Sequence, residues 1–60
     1  MHLTKEEQKE QIKMFFNNCN TVEERRAVFL MFGMDLSYDR YVILTVMKEL
    51  KINDKFEIIK

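Results

Sequence analysis

The chain has 60 residues and a mass of 7.4 kDa, with ten basic and ten acidic side chains and no formal net charge. Apolar residues make up 47% and charged residues 33%, with one Gly, one Cys, no Pro and no Trp. This composition describes one small helical domain, residues 1–60. It argues against several domains, a disulfide scaffold and a disordered chain.

The first helix is expected over residues 5–17. Thr4 and Glu7 have the spacing of a capping box, in which each side chain satisfies an amide of the other's segment. Ile12, Phe15, Phe16 and Cys19 form an apolar stripe at helical spacing. Glu6 with Lys9, and Glu10 with Lys13, read as ion pairs along its solvated face. Asn17, Asn18 and Asn20 then mark a loop.

Thr21 and Glu24 form a second capping box, opening a helix over 22–32. Gly33 reads as its left-handed stop, with Met34 packing back on Phe29. A third helix is expected over 38–50. Ser37 is its N-cap, and Leu36 and Tyr41 stand at the hydrophobic-staple positions. Asn53-Asp54 is a turn signal, and Phe56 and Ile58 alternate with charged residues as in a short strand over 55–59. That strand needs a mate, either Lys51-Ile52 or a second copy.

Two continuous apolar runs stand out, residues 27–32 and 41–47, the second broken only by Thr45. Six consecutive residues cover a helix's whole circumference, whereas a surface helix carries one stripe. Size sharpens the point. Burial stabilises a chain of this mass by on the order of 90 kcal/mol, and ordering it costs about the same. Helix-mediated homodimerisation is the expected remedy, and Leu30→Asp or Val46→Asp is expected to unfold the domain whether the runs form core or interface. The candidate partner or dimer interface is Phe29, Met31, Phe32, Tyr38, Arg40, Tyr41 and Met47, a set rich in aromatics and Met with Arg40 as a polar anchor.

Chemistry-bearing patterns are sparse. His2 is the only histidine, and it lies next to a terminus. Cys19 has no Cys or His near it in sequence, so no metal site is expected. Glu6-Glu7, Glu23-Glu24, Asp35 and Asp39 are explained by helix starts. One glycine cannot build a phosphate-binding loop. No catalytic residue and no cofactor is therefore expected.

A helix-turn-helix DNA-binding regulator is the alternative, because the second and third helices have roughly its spacing. Against it, the third helix offers few groups for reading bases and the charge is balanced, so nucleic acid is a disfavoured partner. Nothing resembles a membrane span or a secretory leader, and a single thiol suits a cytoplasm. The expected function is a small non-enzymatic interaction module, a dimeric regulator or inhibitor that binds and blocks another protein. Small proteins encoded by phages and mobile elements include such a class.

Overall fold

A computed structural model describes residues 3–59 as three helices, α1 (Lys5–Asn17), α2 (Val22–Met34) and α3 (Arg40–Glu49), followed by a folded-back tail. His2, and the expectation attached to it, lies outside the described residues. Both capping boxes form. Thr4 and Glu7 exchange side chain-to-amide hydrogen bonds at the head of α1, and Thr21 and Glu24 do so at the head of α2.

One apolar cluster holds the helices together: Ile12 and Phe16 from α1, Phe32 from α2, Val42, Ile43, Val46 and Met47 from α3, and Ile52 from the tail. The rings of Phe15 and Phe32 meet edge to face, as do those of Phe32 and Tyr38. Phe29 leans on Phe56 of the tail, ring centroids 5.3 Å apart.

Polar contacts also differ from the sequence expectation. Lys9 and Lys13 do not pair with Glu6 and Glu10. Both reach across to Glu49 of α3, at 2.6 and 3.1 Å, because α1 and α3 lie side by side. Gln8 is buried between them, donating to the Leu3 carbonyl and accepting the Asp39 amide.

Two termini form by other means than expected. α2 runs through Gly33, whose φ is not positive. The helix closes instead at Asp35, which turns extended while its amide bonds the Phe32 carbonyl. Met34 does not touch back on Phe29. Five residues along a helix rotate it about 140° away, and it is 82% exposed.

The start of α3 also shifts. Asp35 captures the amide of Ser37 with its carboxylate and that of Tyr38 with its carbonyl, making a turn. Asp39, not Ser37, is the N-cap, and it accepts the Tyr41 amide at 2.9 Å. Leu36 and Tyr41 form no staple, since they are 100% and 80% exposed.

The end of α3 is a Schellman motif built without glycine. Lys51 is left-handed, φ 60, and its amide bonds Lys48 O while the Ile52 amide bonds Met47 O. Ile52 and Met47 are both buried, completing the motif's apolar contact. A left-handed lysine costs about 1–2 kcal/mol. Lys51→Gly should therefore raise stability by roughly 0.5–1 kcal/mol. An unchanged or lowered melting temperature would show that the conformation carries no such cost.

The tail then turns on Asn53, whose side-chain oxygen accepts the amides of Lys55 and Glu57. Ile52 and Ile58 make one isolated antiparallel bridge, and the Ile59 amide reaches Lys51 O. Within the chain the pairing is this one bridge, made with Ile52.

Candidate interaction surfaces

Each continuous apolar run is divided by its helix into an inward and an outward stripe. On α2 the inward face carries Arg25, Val28, Phe29 and Phe32. The outward face, about half a turn away, carries Ala27, Leu30, Met31 and Met34, all exposed. Leu30 is 51% and Met31 48% exposed, while Val46 is fully buried, so of the pair Leu30 and Val46 only Val46 belongs to the core. Both stripes have i, i+3, i+4, i+7 spacing.

On α3 the division puts Val42, Ile43, Val46 and Met47 inside and Tyr41 and Leu44 outside. Leu44, Met47, Ile52 and Ile59 floor a groove of about 390 Å³ between α3 and the tail, rimmed by Lys48, Lys51 and Asp54. Neither lysine has a carboxylate within ion-pair distance among the described residues. The groove exists because the tail folds back along α3, which its sequence alone does not place.

The seven candidate interface residues do not share one face. Phe32 and Met47 are core residues. Phe29 and Tyr38 are half-buried against that core. Met31 lies on the outer face of α2, and Arg40 and Tyr41 are exposed on the first turn of α3. Period alone cannot tell which stripe of a two-sided helix turns inward, so core and surface residues were mixed.

A second concavity, 310 Å³, lies between the heads of α1 and α3 and is lined by Lys5, Glu6, Lys9, Asp39, Tyr41 and neighbours. Its charges are mixed in sign, and it contains no nucleophile–base pair. Cys19 donates its thiol to the Phe15 carbonyl at 3.2 Å. Burial, and then the nearby Glu24, push its pKa up, the opposite of an activated thiolate. No group of three or more metal-ligating side chains occurs among the described residues.

Hydrogen bonds from Lys9 and then Lys13 hold the Glu49 carboxyl below the usual carboxylate range, and the Glu49 bond raises Lys9. A carboxyl lowered in the folded state stabilises the fold above its unfolded pKa. That contribution disappears as pH falls through the lowered folded value. Thermal stability should therefore decline on acidification below about pH 4, and Glu49→Gln should flatten the decline. An identical pH profile in the variant would remove Glu49 from the account.

Comparison with protein-family models, with curated proteins and with solved structures finds no match for this chain. Among the described residues, no helix is long and apolar enough to cross a membrane.

Proposed function

We propose that this chain is a non-enzymatic protein-interaction module, a dimeric regulator or inhibitor that acts by binding and blocking another protein. One observation carries the reading. The chain presents two separate apolar surfaces, the outer face of α2 and the groove between α3 and the tail, where Leu44 and Ile59 stay exposed above the core residues Met47 and Ile52. Contiguous exposed apolar surface on a small protein marks contact with another macromolecule. Two surfaces allow self-association and target binding at once.

The groove is the better target site. Its apolar floor and its Lys48 and Lys51 rim favour a segment whose apolar side chains are flanked by carboxylates. The helix-turn-helix alternative has less support. The outward side of α3 carries Tyr41, Leu44, Thr45 and Lys48, with Arg40 at its first turn, two basic groups on a largely apolar face, and the Thr45 hydroxyl donates to the Tyr41 carbonyl.

The test is affinity capture from nuclease-treated lysate, comparing the native chain with Leu44→Glu. One stoichiometric protein that survives moderate salt and is lost with the variant is the expected result. Recovery that vanishes with nuclease and weakens steeply with salt would favour DNA binding instead.

A further inference from the structure

We infer that the outer face of α2 is the contact between two copies of this chain, packed antiparallel about a two-fold axis that passes between Leu30 and Met31. The inference deepens the interaction-module reading and rests on it.

The first argument is area. A folded monomer of 7.4 kDa is expected to expose about 4,200 Å², whereas this chain exposes 4836 Å². The surplus is roughly 600 Å² per copy. Covering a surplus of that size on both copies would remove about 1,200 Å², the lower bound of stable specific interfaces, and the outer face of α2 supplies a share of the chain's exposed apolar surface. The side chains for the contact are at hand, since Leu30, Met31 and Met34 are about half to four-fifths exposed on one face.

The second argument is register. With the axis between Leu30 and Met31, each Leu30 faces the partner's Met31, and each Ala27 faces the partner's Met34. Small meets large at both ends, so the seam fills evenly. A parallel pair would set Met34 against Met34 and leave a gap where Ala27 meets Ala27.

The third argument is charge. Glu23 stands four residues before Ala27, in line with the stripe. A parallel pair would place two Glu23 carboxylates face to face, and like charges there destabilise. The antiparallel register separates them by more than about 20 Å along the axis, and it sets the two helix dipoles head to tail.

Sedimentation equilibrium over a wide concentration range tests the dimer. The native chain should sediment at twice 7.4 kDa. Leu30→Glu, altering a half-exposed side chain, should keep its helical circular dichroism and sediment as a monomer. If that variant does not fold, Met34→Glu, at a more exposed position, replaces it.

Orientation is tested by cysteine pairing in a Cys19→Ser background. Mixed Ala27→Cys and Met34→Cys chains should cross-link to each other several-fold faster than Ala27→Cys chains cross-link among themselves. A native chain that stays monomeric to millimolar concentration overturns the inference, as does preferential Ala27→Cys self-pairing. A monomer that still captures its target sinks this inference alone, whereas a dimer that captures nothing leaves it standing and sinks the target-binding reading.

Discussion

Replacing Ile43 by alanine should remove about half of the stability of the fold. Ile43 is fully buried in the cluster that joins all three helices and the tail. Truncating such a side chain costs about 2–5 kcal/mol, the transfer term plus the cavity left behind. A 60-residue chain holds only about 3–9 kcal/mol in total, so the loss takes about half of it and the midpoint falls accordingly. Ile43→Val, which deletes one methylene, should cost about 0.5–1.5 kcal/mol and leave a measurable cooperative transition. Urea melts of the two variants check the pair. A small effect of Ile43→Ala would mean that the core collapses around the cavity and is not tightly packed there.

The second large effect is expected at Arg25. This side chain is buried, and its Nε donates to the Phe56 carbonyl at 2.6 Å across 31 positions of sequence. No carboxylate lies within ion-pair distance of it among the described residues, so the carbonyl of the tail is its main polar partner. Arg25→Met keeps the apolar stem but removes the donor, leaving the Phe56 carbonyl unpaired. Hydrogen bonds to charged groups contribute about 1.5–3 kcal/mol, and the loss should fall on the tail first. Amide exchange at Asn53 and Ile59, whose protons bond within the turned tail, should accelerate more than exchange in α1. Uniform acceleration would show that the tail does not open separately from the helices.

The sequence was informative where local chemistry decides the structure. The two Thr-x-x-Glu boxes place the starts of α1 and α2, and the Asn-rich stretch after Phe16 places the first turn. It was less informative where a distant partner decides. Gly33 reads as a stop, yet Asp35 ends α2. Ser37 reads as a cap, yet its amide is already taken by Asp35, and the cap passes to Asp39, whose own amide is held by Gln8 from α1. Gln8 and Arg25 are polar residues, and nothing in their sequence neighbourhood marks them for burial. Each is buried by an element about thirty positions away. The candidate interface mixed Phe32 and Met47 with Met31 and Tyr41 because both stripes of each helix are apolar. Only the packing of α1 against one side chooses between them.

The edge-to-face contact between Tyr38 and Phe32, centroids 4.6 Å apart, makes the molecule its own optical gauge. The chain has no Trp and two Tyr. Tyr41 points into solvent, so its ring has no fixed asymmetric surroundings. Tyr38 alone sits against another ring, at the corner where α2 gives way to α3. Near-ultraviolet dichroism of the phenol band therefore reports on that one corner. Emission accessible to a dissolved quencher comes mainly from Tyr41, at the opposite extreme of exposure. The two signals can follow packing and solvation separately in the same cuvette, with no label attached.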